Sequence, residues 1–284
     1  MTTKQIVIIG CGSMGAGIAQ VAIQTGRPVR VVERDDAAAE AGRGRIVAGL
    51  DRLVKRERIS AADREAALER LSIGTSLDVL AEADVVIEAT FEDVERKREL
   101  FAEIDRLAPA HALLASNTST IPLVILAAAT KRPERVVGLH FFNPVPVMKL
   151  VEVIRTPATD PAVVEEARQL AEDLGKTPVL INDVPGFVGN LLIVPYLLDA
   201  IRAYERNVAD MASIDDVIKL GFNHPMGPFA LSDLIGLDIV HDMAASMYEE
   251  YKDPRYFPPP LLKQYVRMGW LGRKTGRGFY LYES

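Results

Sequence analysis

The sequence predicts an α/β N-terminal domain carrying a helical arm, followed by an all-α C-terminal domain. Three features predict it. Short continuous apolar runs such as Ile6-Val7-Ile8-Ile9 alternate with helical spacing up to about residue 182, as expected of parallel strands covered on both faces. A glycine-rich turn, Gly10-Cys11-Gly12-Ser13-Met14-Gly15, stands directly between the first run and the first helical stretch. Past Asn182 the strand pattern disappears and only helical spacing remains. These features place one domain at residues 1–182, with its arm at about 36–71, and a second at 183–284.

The turn reads G-x-G-x-x-G and continues into the small-residue helix Ile18-Ala19-Gln20-Val21-Ala22. The first glycine permits the tight turn, and the second lets a pyrophosphate approach the backbone. The third allows close helix–strand packing, and the helix N-terminus faces the phosphates. This Rossmann-type fingerprint makes Gly10, Gly12, Ser13, Met14 and Gly15 the expected dinucleotide loop. The second strand, residues 28–32, ends at Glu33, near the usual offset of the acid that binds a ribose diol. Glu33 favours NAD, because a carboxylate repels a 2′-phosphate; Arg34 beside it pulls the other way.

Residues 36–71 read as a helical arm: Ile46, Leu50, Leu53 and Val54 at helical spacing, then a second helix over 61–71 with Ser60 and Asp63 as its N-cap signal. Arg43, Arg45, Arg52, Lys55, Arg56 and Arg58 face only Asp51 and Glu57 in sequence. Two readings stand: a solvated face, or a projecting basic pair that holds an anionic ligand bearing phosphates. Asp84-Val85-Val86-Ile87-Glu88-Ala89 is a third strand leading to Glu92. Glu92 either sits beside the nicotinamide ribose or opens the helix over 94–107, where an early acid suits the dipole. Ala112-Leu113-Leu114-Ala115 ends in Ser116-Asn117-Thr118-Ser119-Thr120, where Ser119 or Thr120 is a helix cap ahead of Pro122 or a catalytic hydroxyl.

Residues 136–154 carry the strongest chemical signal. An apolar run leads into His140, Pro144 and Pro146 force a turn, and a second apolar run returns through Glu152. Leu150, Glu152 and Ile154 share a strand face, so Glu152 is expected inside, where an ionised carboxylate needs a partner. His140 is the obvious one, and the pair would make a general base; the other reading leaves His140 at a strand end and Glu152 on a wet edge. A helix beginning at Asp160-Pro161 and stopping at Gly175 precedes the last strand, Val179-Leu180-Ile181. In the C-terminal domain, Pro185-Gly186 opens an apolar helix running to about Ala203, either a central helix or a dimer contact, with Asn190 inside it. Further helical patches lie near 213–220, 230–250 and 260–268, with loop-like segments at 224–228 and 272–280.

Composition narrows the function. At 284 residues and 49% hydrophobic content the chain suits two well-filled domains, and a net charge of −6 gives no support to a nucleic-acid or membrane-surface partner. The single cysteine, Cys11, and four scattered histidines make a metal site improbable on residue supply alone. No basic leader precedes the first strand, and no apolar run reaches the ~18–20 residues that span a bilayer. The expectation is a cytoplasmic protein.

Residues 10–15, 116–119, 140–146, 148–153, 185–187 with Asn190, 224–228 and 269–280 together resemble the L-3-hydroxyacyl-CoA dehydrogenase family, most of all its short 3-hydroxybutyryl-CoA members. The resemblance covers essentially the whole chain. It implies NAD as cofactor and oxidation of an L-3-hydroxyacyl-CoA to the 3-oxoacyl-CoA, or the reverse. It implies a helical second domain that forms a homodimer. By resemblance His140 is the base, Glu152 its orienting partner, Ser119 the group on the reacting oxygen and Asn190 a substrate-positioning residue. Glu33, Glu92 and Asn117 fall at the cofactor, and Lys55 and Arg56 at the phosphates of coenzyme A. The chain departs from the family pattern at Glu33, where Asp is frequent, at Leu191, where Arg follows the Asn, and at Gly49, where some members place a coenzyme-binding Ser. Relatives that act on 3-hydroxyadipyl-CoA or on sugar acids such as gulonate are the rival enzymes, and a lens crystallin is the rival that is not an enzyme.

Overall fold

Each short apolar run of the N-terminal half becomes a strand because it is covered on both sides and its β-branched residues suit a pleated, buried ladder. The structure, a computed structural model, describes residues 4–282, so the outermost residues of the two expected domains, 1–3 and 283–284, lie outside the described residues. Two units are distinguished, the first ending at Val184 and the second beginning at Pro185.

The first unit holds one eight-stranded sheet: β1 (Ile6–Ile9), β2 (Val29–Val32), β3 (Leu71–Gly74), β4 (Val85–Glu88), β5 (Leu113–Ser116), β6 (Val136–Phe141), β7 (Leu150–Arg155) and β8 (Thr177–Asn182). Their order is β3-β2-β1-β4-β5-β6-β7-β8. Strands β1 to β6 run parallel; β7 turns back antiparallel to β6, and β8 follows β7 in parallel. The helices are α1 (Ser13–Gln24), α2 (Asp36–Lys55), α3 (Ala61–Leu68), α4 (Val94–Leu107), α5 (Leu123–Ala127) and α6 (Pro161–Asp173). Strand order reverses at β1, with β2 on one side and β4 on the other. That reversal opens a crevice at the carboxyl ends of β1 and β4, the usual ligand position in an open α/β sheet.

The arm departs from expectation in two ways. Its second helix stops at Leu68, and Leu71, expected at that helix's end, instead begins β3. The alternation Leu71-Ser72-Ile73 suits a strand, and the sheet takes it up because the preceding Arg70 carbonyl accepts the Val29 N–H. The arm also does not project as a free pair. Ile46, Leu50 and Ala67 belong to the same core cluster as Ile18 and Ile8. At Gly49 a Cβ would stand 2.1 Å from the Gln20 side-chain oxygen, so this position is a packing contact with α1 and not a coenzyme ligand. The capping box holds: Asp63 N donates to Ser60 Oγ, and Ser60 N donates to Asp63 Oδ2, both at 3.0 Å.

The cap of α5 is also not the one expected. Neither Ser119 nor Thr120 caps it; the Asp183 carboxylate accepts the N–H groups of Leu123 and Val124 at 2.8 and 2.7 Å. Asp183 follows β8, and adjacency in sequence could not have indicated this cap.

The second unit contains α7 (Gly189–Glu205), α8 (Met211–Phe222), α9 (Pro228–Ile235), α10 (Leu237–Tyr251) and α11 (Pro260–Arg267). Helix α7 starts later than Pro185-Gly186 suggested, because Gly186 and Phe187 both take positive φ. The helical patch at 230–250 is two helices, broken at Gly236 with φ +107°. Val194, Leu197, Leu198 and Ile201 pack with Phe229, Val240 and Met247, so α7 is the central helix of this unit. Two buried aspartates tie its loops. Asp215 accepts from Phe229 N, Ala230 N and Tyr280 Oη, and Asp233 accepts from Phe279 N, Tyr280 N and Tyr282 Oη. Burial pushes the Asp233 carboxyl up despite those donors. Among the described residues no helix is long and apolar enough to cross a membrane.

Candidate active site

At the end of β1 the three glycines divide the work as their sequence order suggested. Gly10 takes φ +92°, and a Cβ there would lie 2.7 Å from the Ala89 carbonyl oxygen. At Gly15 a Cβ would lie 2.0 Å from the Gly10 carbonyl oxygen, so the helix can approach the turn only without a side chain. At Gly12 a Cβ would meet nothing within 4 Å, which is room for a phosphate against the backbone. No side chain caps α1, Ser13 is exposed and Met14 half-buried beside it. The loop thus fits a pyrophosphate held by the first amides of α1.

Glu33 closes the other side of this loop. Its carboxylate accepts the Cys11 N–H and, at 3.1 Å, the Arg34 N–H. Arg45, expected among the cations of the arm, instead donates to the Cys11 carbonyl at 3.2 Å. Burial, and then the Glu33 charge, pushes the Cys11 thiol up to about 11, which makes it an inert packing group. Lys55 ends α2 and Arg56 follows it, both exposed. Among the described residues Arg43, Arg52, Lys55, Arg56 and Arg58 form no ion pair, while Asp51 is taken by Arg64.

On the far side of the sheet's centre, the antiparallel turn from β6 to β7 places His140 directly opposite Glu152. His140 Nδ1 and Glu152 Oε2 are 2.6 Å apart, and the residues are only 6% and 2% exposed. The wet-edge reading of Glu152 is therefore wrong. An ionised carboxylate only accepts, so a bond to ionised Glu152 is made by a proton on Nδ1. Gly138 lets the strands close here, since a Cβ would fall 2.8 Å from Ile154 Cβ. In the connecting turn the Pro144 carbonyl accepts from Val147 N and Met148 N at 2.9 and 3.0 Å. Asn117, just after β5, ties that strand's end to β6: its Oδ1 accepts the Phe141 N–H at 2.9 Å. Its side chain thus has a structural duty beside the cofactor role expected of it.

Between these two regions, the loop after β5 hangs from Glu92. One oxygen, Oε1, accepts Thr118 Oγ1 at 2.6 Å, Ser119 N at 2.8 Å and Thr120 N at 2.9 Å, with Ser119 Oγ at 3.3 Å. Asp93, not Glu92, caps α4. Glu92 therefore shapes the loop, which neither sequence reading of it contained. Burial pushes its carboxyl up, but Lys97 and the loop's donors outweigh that and hold it below the ordinary range.

Sequence reasoning missed Glu88, Lys97 and Ser116. Lys97 is 1% exposed and Glu88 0%, and the ammonium lies 2.7 and 2.8 Å from the two carboxylate oxygens. The signals were there to find. Glu88 ends a strand that is otherwise apolar and is itself buried, and Lys97 shares with Phe101 and Ile104 the buried face of α4. Asn190 belongs to the second unit, buried in the first turn of α7. Among the described residues no cluster of His, Cys, Asp and Glu could hold a metal ion.

A doubly wound sheet with this glycine loop and its acid defines a class: a protein that binds a dinucleotide such as NAD. Family models make it specific. Residues 5–184 match the 3-hydroxyacyl-CoA dehydrogenase NAD-binding domain, and residues 186–282 match the C-terminal domain of the same enzymes. The chain belongs to the 3-hydroxyacyl-CoA dehydrogenase family and is an NAD-dependent oxidoreductase. It is 47% identical to a probable 3-hydroxybutyryl-CoA dehydrogenase of Bacillus subtilis, over 100% of this chain and 99% of that one. The solved structure of Mycobacterium tuberculosis FadB2 superposes with a TM-score of 0.97 at 47% identity, covering 100% of both chains. That of (S)-3-hydroxybutyryl-CoA dehydrogenase from Ralstonia eutropha gives 0.94 at 41% identity, again over 100% of both. The crystallin alternative falls with these matches.

Glu33→Ala is expected to weaken NAD binding by about 1–3 kcal/mol, the scale of a lost charge-assisted hydrogen bond. Equilibrium titration with NADH and NADPH checks this. A wild-type preference for NADPH would show that Arg34 and Arg45 govern the ribose end.

Proposed function

We propose that the chain interconverts a short-chain L-3-hydroxyacyl-CoA, 3-hydroxybutyryl-CoA above all, and its 3-oxoacyl-CoA. The observation that carries this reading is the buried His140–Glu152 pair at 2.6 Å. Removing hydrogen from a secondary alcohol requires a base for the hydroxyl proton and a donor to the oxygen as its charge changes. His140 Nε2 takes the proton. Glu152 holds the ring's orientation and stabilises the positive charge that develops on it. The Ser119 hydroxyl turns from Glu92 toward the substrate oxygen and donates to it. We assign Asn190 to positioning the substrate. When bound at the glycine loop, NAD supplies the hydride acceptor. In the reverse direction His140 returns the proton as imidazolium.

The unpaired cations at the end of α2 support a coenzyme A thioester over a sugar acid. A phosphate-bearing handle suits Lys55 and Arg56, and the names of the relatives supply the short acyl chain. On this reading residues 1–182 bind the cofactor and 183–284 contribute substrate contacts and the homodimer interface. Helix α8 supports the dimer: Val217, Leu220 and Phe222 are exposed on it, Leu220 to 83%. Val217 and Leu220, three apart and so neighbours on the helix surface, suit a contact between copies of the chain. A cytoplasmic setting goes with the same reading, since NAD and CoA thioesters are both kept there.

The function is tested by initial rates on acetoacetyl-CoA, 3-hydroxyadipyl-CoA and gulonate with NAD(H) and NADP(H); acetoacetyl-CoA with NADH is expected to be fastest. His140→Ala is expected to lower kcat by roughly 10²–10⁴-fold. Glu152→Gln lowers it too, and the double variant is little worse than His140→Ala, because the residues act as one unit. Fully additive losses, with the folded fraction measured alongside, would mean His140 works without Glu152. Lys55→Ala with Arg56→Ala is expected to raise KM for acetoacetyl-CoA while leaving NADH binding unchanged. The effect shrinks on a pantetheine-truncated substrate; equal losses on both substrates would contradict the coenzyme contact.

A further inference from the structure

Lys176 spends its ammonium on backbone carbonyls and, among the described residues, makes no ion pair. It donates to the Val145 carbonyl and, at 2.9 Å, to the Met148 carbonyl, both in the turn between β6 and β7. The backbone around it fixes where it stands. Helix α6 ends in a Schellman cap: Gly175, at φ +71°, donates to the Glu172 carbonyl at 2.8 Å, and Lys176 N donates to the Ala171 carbonyl at 2.9 Å. Thr177 N then donates to the Lys149 carbonyl at 2.7 Å, where β8 begins beside β7. Burial pushes the Lys176 ammonium below its ordinary range, with no carboxylate to oppose the shift.

The turn that Lys176 holds is seated on α1. Val145 is only 2% exposed and shares one core cluster with Ala16 and Ile18. At Gly17 a Cβ would stand 2.8 Å from Val145 Cβ, so helix and turn close up only because residue 17 has no side chain. One side of this contact is the helix whose first amides suit the pyrophosphate. The other is the turn that β6 enters directly after His140. The hydride and the hydroxyl proton leave the same secondary alcohol, so nicotinamide and imidazole must reach it together.

We propose that Lys176 is a positioning residue for hydride transfer: by pinning the Val145 and Met148 carbonyls it holds the turn against α1, and so sets where His140 stands relative to the nicotinamide. The proposal rests on the reading of His140 as the base. Lys176 acts through the turn and not on the reacting atoms.

Removing this lysine strands no opposite charge, so Lys176→Met is expected to fold. In the full-length enzyme with NADH and acetoacetyl-CoA its kcat is expected to fall roughly 10- to 100-fold, the scale of a misplaced reacting group, with NADH affinity unchanged. The kinetic isotope effect on kcat with NADH deuterated at the transferred position rises, because a slowed chemical step weighs more against product release. In the protein without cofactor, the Val147 and Met148 amides exchange their hydrogens faster. Lys176→Arg, whose forked guanidinium offers donors to the same two carbonyls, regains most of kcat. A Lys176→Met enzyme that loses thermal stability yet keeps kcat per folded molecule and the wild-type isotope effect would overturn the proposal and leave Lys176 a fold element. His140→Ala separates the two layers. If it reacts at the wild-type rate, the reading of the base fails; if it is slow while Lys176→Met runs at full speed, only the role of Lys176 fails.

Discussion

Glu152 lies inside a sheet, where an ionised carboxylate is tolerated only with a partner, and the antiparallel register of β6 and β7 supplies His140. Much of the fold serves that register. The first six strands run parallel; only after β6 does the chain turn straight back, through a proline-rich turn, instead of crossing over through a helix. A parallel partner would have needed a long crossover before any second strand could lie alongside. Gly138 gives β7 room, and Asn117 ties the end of β6 to the loop that carries Ser119. His140 and the loop that carries Ser119 are thus tied to one sheet.

The same physics recurs wherever this chain must fix an irregular segment. Glu33 holds the glycine loop, Glu92 the loop after β5, Asp183 the start of α5, and Asp215 and Asp233 the loops of the second unit. In each case one carboxylate accepts several backbone N–H groups that would otherwise be orphaned near a helix start or turn. Glu92 is the member of this set that holds the Ser119 and Thr120 amides, and Lys97 is its counter-charge.

How much of this was legible followed from how local each cause is. Strands β1, β4 and β5 could be read directly because burial on both faces leaves a continuous apolar run, and the glycine loop because its spacing is itself the mechanism. His140 and Glu152 could be paired from one hairpin, since a turn of fixed length sets the register. Strand β3 was hidden, because Leu71 continues the helical spacing of the arm and is claimed by β2 only in three dimensions. The cap from Asp183, far along the chain from α5, could not be read at all. Arg45 was misread because its charge was counted with its sequence neighbours, whereas the packing of α2 on α1 turns it to the Cys11 carbonyl. Glu88 and Lys97 were passed over because a buried pair shows in sequence only as two isolated exceptions to an apolar pattern.

The central claim is that Glu152 fixes which nitrogen of His140 is ready to exchange a proton. Nitrogen-15 NMR of histidine-labelled enzyme with NAD bound reads this directly, His140 being assigned among the four histidines by the loss of its signals in His140→Gln. At a pH where the ring is neutral, the account predicts a protonated Nδ1 and an unprotonated Nε2. A neutral ring protonated at Nε2, with a bare Nδ1 facing Glu152, would contradict it.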